Sequence, residues 1–126
     1  MPRNPEEWLK QAEYDLGTAE FMFTGGRYFY SVFMAHLSIE KALKGLYQKE
    51  LNEIPPKTHN LITILNSVGL KPPDEMGKFL IKINQASVVT RYPEDLSLLQ
   101  KNYTKPVVKE ILDKAKDSLE WIKKMF

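Results

Sequence analysis

The sequence predicts an all-α protein: an antiparallel up-and-down four-helix bundle with one additional short helix. Apolar residues recur at spacings of three and four along most of the chain, and no segment alternates with the period of two that a strand requires. Proline, glycine and acidic residues stand where such segments begin and end. With 126 residues, 43% of them hydrophobic and 27% charged, the chain is expected to form a single domain over residues 1–126.

The first helix is expected over about Pro5 to Thr24. Asn4 caps it, Pro5 suits its first position, and Glu6 and Glu7 complement the positive end of its dipole. Trp8, Ala12, Leu16, Ala19 and Phe23 make one stripe, and Gly25-Gly26 supplies the stop. In the second helix, Phe29, Val32, Phe33, Leu37, Ile39, Leu43, Leu46 and Tyr47 cover more than one face, which marks it as the central one. Pro55-Pro56 cannot continue it. Thr58 is the expected cap of a short third helix holding Leu61, Ile64, Leu65 and Val68, closed by Gly69. Pro72-Pro73-Asp74-Glu75 opens a fourth, with Met76, Phe79, Leu80, Ile83 and Ala86, running to about Val89. Residues 90–95 lose the period and read as an ordered loop, because Pro93 pushes Tyr92 toward extended backbone. Thr104 and Pro106 start the last helix, whose stripe is Val108, Ile111, Ala115, Leu119, Ile122 and Phe126.

Several function classes drop out. There is no cysteine, which removes disulfides, thiol catalysis and zinc sites built on Cys. Only His36 and His59 could serve as histidine ligands, and no Glu-x-x-His pair is present, so neither a metal nor any other cofactor is expected. Phosphate-loop and nucleophile-elbow glycine spacings are missing too. The longest uncharged stretches, residues 28–39 and 58–70, fall short of the roughly 20 residues a membrane span needs. The N-terminus turns acidic at once and has no apolar signal region, so the cytoplasm is the expected compartment and no membrane partner is expected. A net charge of +2 is too small for a general field that attracts nucleic acid, so any anion site must be local.

Three segments could form one. His36, Glu40 and Lys44 follow one another at i, i+4, about 6 Å per step along one face of the most apolar helix, with Lys41 beside them. That stripe is either a small polar pocket for a phosphate or base edge, or a buried histidine held by Glu40 with Lys41 and Lys44 in solvent. Lys57-Thr58-His59-Asn60 lies at a helix N-terminus, where free N–H groups favour an anion, although plain capping would use the same residues. Arg91-Tyr92 offers a bidentate phosphate donor beside a ring on which a base could stack; the alternative is a surface arginine and a tyrosine that anchors its loop. The lysines of the last helix alternate with Glu110, Asp113, Asp117 and Glu120 and read as a solvated face.

These segments, in this order, resemble the HEPN family, named as higher eukaryote and prokaryote nucleotide-binding domains. The resemblance rests on Trp8, Ala12, Asp15-Leu16 and Ala19, on His36 with Glu40-Lys41-Ala42-Leu43-Lys44, on Lys57-Thr58-His59-Asn60-Leu61 and on Arg91-Tyr92-Pro93. It implies a helical bundle, often a homodimer, that binds a nucleotide of the ATP or GTP class or RNA. Such a module commonly works beside a minimal nucleotidyltransferase in a two-component, toxin–antitoxin-like system. It also implies that His36, Glu40, Lys41, Lys44, Lys57, His59, Arg91 and Tyr92 serve nucleotide binding. Many HEPN members are metal-independent ribonucleases carrying Arg, four to six residues, then His. Here the nearest forward pair, Arg27 and His36, has eight residues between, so that motif is absent and no catalytic residue is assigned. A non-catalytic binding module is therefore the expectation; a ribonuclease toxin and a pure interaction or dimerisation module are the alternatives.

Overall fold

The structure, a computed structural model, describes residues 4–126 and is all-helical over them. Met1, Pro2 and Arg3, part of the N-terminal segment read above for an export signal, lie outside the described residues. The elements are α1 (Pro5–Thr24), α2 (Tyr28–Leu51), α3 (Leu61–Val68), α4 (Asp74–Arg91), α5 (Leu96–Asn102) and α6 (Lys105–Lys123).

Helix α1 has its expected limits. Asn4 Oδ1 accepts from the Glu7 N–H at 2.7 Å, and Gly26 takes the positive φ that ends the turn. Helix α2 is the hub: it packs on every other helix and supplies Val32, Ala35, Ile39, Ala42, Leu43 and Leu46 to the core. Asn52, left-handed at φ 52, closes it before the prolines.

Small residues bring α1 and α2 together. The Ser31 hydroxyl donates to the Ala19 carbonyl at 2.7 Å, and the Ser38 hydroxyl donates to the Ala12 carbonyl at 2.6 Å. Seven residues further on, a Cβ at Gly45 would stand 3.0 Å from the Pro5 carbonyl oxygen and 2.7 Å from the Trp8 Cβ. Each step of seven forward on α2 is matched by seven backward on α1, so the two helices are antiparallel. Both hydroxyls are buried, and both find an acceptor, as a buried polar group must. The Trp8 indole N–H donates to Gln48 Oε1 at 2.9 Å at the same end.

Elsewhere the structure adjusts the expected boundaries. Asn60, not Thr58, caps α3: its Oδ1 accepts from the Ile62 and Thr63 N–H groups, while the Thr58 hydroxyl only receives the Asn60 N–H. Gly69 ends α3 at φ 76, as expected. Helix α4 runs through Arg91, past the expected end near Val89, so Arg91 is a helical residue and not a loop residue. The loop that follows is short. Asp95 Oδ1 accepts from the Leu98 N–H and starts α5, a second short helix. Thr104 occupies the N-cap position of α6 without a side-chain hydrogen bond, and Pro106 sits in the first turn.

Candidate functional site

The middle of α2 faces the α3 N-terminus and α4, and polar side chains from all three meet there. His36 is wholly buried and Glu40 nearly so. Glu40 Oε2 accepts from the Lys44 ammonium at 3.0 Å, and both Glu40 oxygens lie 3.1 Å from His59 Nδ1. One buried carboxylate thus holds a buried ammonium and an imidazole that reaches in from the loop before α3. The His59 side chain is 59% exposed. With Nδ1–H donated to Glu40, its Nε2 is the atom left for a ligand.

Asn84 of α4 completes the cluster. Its Oδ1 accepts from the Leu61 N–H at 3.0 Å and its Nδ2 donates to Asn60 Oδ1 at 3.2 Å, which fixes the amide orientation. The same Oδ1 is 3.2 Å from His36 Nε2, so Nε2 must carry the proton. The Nδ1 lone pair of His36 then faces Glu40 Oε1 at 3.9 Å, too far for a hydrogen bond, and Nδ1 has no hydrogen-bond partner. Burial pushes the His36 pKa below 6.5; the Asn84 contact and the Glu40 charge pull the other way without overcoming it, and Arg91 and His59 add to the lowering. His36 is therefore a neutral residue that orders the pocket, packed on Asn84 and not held by Glu40.

Arg91 joins from the end of α4. Its guanidinium carbon lies 5.1 Å from the centroid of Phe33, one turn before His36, a cation–π contact that holds the group close to the cluster. The structure thus brings together His36, Glu40, Lys44, His59 and Arg91.

Three expected residues are placed elsewhere or left open. Lys41 turns to α1 and pairs with the buried Asp15 at 2.9 Å, so it holds the hairpin together. Tyr92 is 76% exposed and lines a cavity with residues of α5. Lys57 is exposed on the loop before α3. The α3 N-terminus is not an open anion site either: the Leu61, Ile62 and Thr63 N–H groups are taken by Asn84 and Asn60, and the Ile64 N–H by the Asn60 carbonyl. An anion here would be met by side chains. Asn84 was not among the expected residues, because a lone asparagine between Ile83 and Gln85 gives no sign in sequence of facing inward.

Among the described residues no group of three His, Cys, Asp or Glu side chains is placed to hold a metal, and no helix is long and apolar enough to cross a membrane.

The family model for the HEPN domain matches residues 5–125. Among curated proteins none matches the chain. Two crystal structures are similar along nearly their whole length. TT1696 from Thermus thermophilus is 24% identical with a TM-score of 0.84, covering 97% of this chain and 98% of that one. ST0689, described as an archaeal HEPN homologue, is 28% identical with a TM-score of 0.77, covering 96% of each chain.

Proposed function

The chain belongs to the HEPN domain family, and from that premise we propose that it is a nucleotide-binding module that works without the Arg-x4–6-His nuclease pair. The observation that carries this reading is the Glu40–His59 contact: a buried carboxylate fixes a solvent-facing imidazole at the place where Arg91 also arrives. Inside the cluster, the Glu40 charge is balanced by Lys44 and His36 is neutral. The groups that face outward are His59, Arg91 and, on the same loop as His59, Lys57. A small local excess of positive charge is what a phosphate needs on a chain whose net charge is only +2. Arg91 supplies the bidentate donor, and His59, whose Nε2 donates to a phosphate oxygen in the imidazolium form, the second contact, while His36, Glu40 and Asn84 hold them in position.

The same membership supports a minimal nucleotidyltransferase as the protein partner, in a two-component, toxin–antitoxin-like arrangement; co-purification with such an enzyme tests that part.

Thermal-shift titration with ATP, GTP and a short RNA tests the binding. A ligand at 100 times its Kd adds about 2.7 kcal/mol, a rise on the order of 10 °C for a domain of this size. The rise is expected in the wild type and absent in folded His59→Ala and Arg91→Ala variants. No shift with any of the three ligands overturns the reading.

A further inference from the structure

We propose that His59 is a phosphoryl acceptor, its Nε2 taking the terminal phosphoryl group of a nucleoside triphosphate held beside Arg91. The donor in this step rests on the nucleotide reading above; the reactivity of the imidazole does not.

The two histidines of the chain differ in what they offer a phosphorus atom. His36 has a lone pair on Nδ1, but its ring is wholly buried, so no donor reaches it. His59 has the opposite arrangement. Its Nδ1 points inward to both Glu40 oxygens at 3.1 Å, while the side chain is 59% exposed. A carboxylate paired with an ammonium, as Glu40 is with Lys44, accepts hydrogen bonds and donates none. The neutral His59 ring therefore carries its proton on Nδ1, and its lone pair lies on Nε2, at the solvent side. The same nitrogen that donates to a phosphate oxygen when the ring is charged attacks phosphorus when it is neutral.

The ring is also held still, although it stands in a loop. The Thr58 hydroxyl accepts from the Asn60 N–H across His59, and Asn60 is tied in turn to Asn84 of α4. Pro55 is buried at the other side of the loop. His59 and Arg91 flank one buried ring, since the charge of each is felt at His36.

In the step itself, the Nε2 lone pair forms the bond to the terminal phosphorus. The bond from that phosphorus to its bridging oxygen breaks, and its electron pair leaves on the nucleoside diphosphate. The Nδ1 proton stays on the ring, so the imidazole becomes positively charged, and Glu40 lies against that charge as it forms. The new phosphoryl dianion stands where Arg91 and the exposed Lys57 supply positive charge.

Mass spectrometry of the intact full-length protein at neutral pH tests the step, with phosphoramidate and, separately, magnesium ATP as donors. Each is expected to add one phosphoryl group per chain, mapped to His59 by fragmentation, lost in acid and kept in base. His59→Ala, a change at an exposed position and therefore expected to keep the helical circular dichroism, should take no label from either donor. Glu40→Gln combined with Lys44→Met removes both charges of the buried pair; with its helical circular dichroism kept, this variant should label at least about tenfold more slowly. An unchanged rate overturns the role given to Glu40. Label from phosphoramidate but not from ATP overturns the triphosphate as donor, and the ATP thermal shift, measured alongside, tells whether nucleotide binding falls with it. No label from either donor, a label on another residue, or a nucleotidyl group in place of a phosphoryl group overturns the proposal, whatever the thermal shift shows.

Discussion

Asn84 Oδ1 lies 3.2 Å from His36 Nε2, joining α4 to α2 across 48 residues of sequence. The same oxygen receives the first N–H of α3, so one amide positions three elements. Replacing Asn84 by Ala strips acceptors from His36 and Leu61 at once. Each buried donor left unsatisfied costs about 1–3 kcal/mol, so a loss of about 2–4 kcal/mol is expected in urea unfolding. Asn84→Asp keeps both acceptors and should retain more stability than Asn84→Ala; equal losses would mean that the amide acts only by filling space.

His36 also makes stability depend on pH. Its proton affinity is lower folded than unfolded, so the unfolded chain binds the proton first as pH falls. The contribution is fully present above about pH 6.5 and is lost as pH falls from there toward the folded pKa. Urea midpoints should therefore decline between neutrality and mild acid, and the decline should be shallower in His36→Gln. An identical slope in the variant would assign the effect to another group.

Glu40 is the least replaceable member of the cluster. Glu40→Gln keeps the shape but leaves the buried Lys44 without its counter-charge, a change that typically costs about 3–5 kcal/mol. Adding Lys44→Met removes the stranded ammonium and should recover part of the loss. A double variant no more stable than Glu40→Gln would show that Lys44 reaches water easily without its partner.

Lys41 separates the structural from the functional lysines. Lys41→Met leaves Asp15 buried without its cation and should cost about 1–3 kcal/mol, yet leave the thermal response to nucleotide intact. A Lys41→Met protein of wild-type stability that no longer responds to nucleotide would place Lys41 in the site after all.

Gly45 is set by close approach. Alanine would gain about 1 kcal/mol of helix propensity, but its Cβ collides with Trp8 Cβ and the Pro5 carbonyl, and such overpacking costs about 1–3 kcal/mol. A net loss is expected in Gly45→Ala, read as a lower melting temperature. A higher one would mean that the first turn of α1 moves aside freely.

The long helices were legible in sequence because their signals are local: Asn4 and Pro5 at one end of α1 and Gly25-Gly26 at the other act within a turn or two. Helix α5 was not, since seven residues with only Leu99 buried cannot display a helical period. The site divides the same way. His36, Glu40 and Lys44 share one helix, so their spacing alone placed them on one face. Partners on other elements are not encoded in spacing: Asn84 meets His36, and Asp15 claims Lys41, through the packing of helices far apart in sequence. Packing also decided the α3 N-terminus, where Asn84 takes an N–H that the sequence left open.

The seven-residue ladder of Ser31, Ser38 and Gly45 against Ala19, Ala12 and Pro5 works as a ruler between two helices. Its consequence is unequal tolerance of length changes. Residues added at the Gly25-Gly26 turn leave every rung in place. One residue inserted between Ser31 and Ser38 rotates everything beyond it by about 100° and moves it along by about 1.5 Å, so the later rungs miss their carbonyls. The loop joining α1 and α2 is thus free to vary in length, while the helices on either side of it are fixed to the residue.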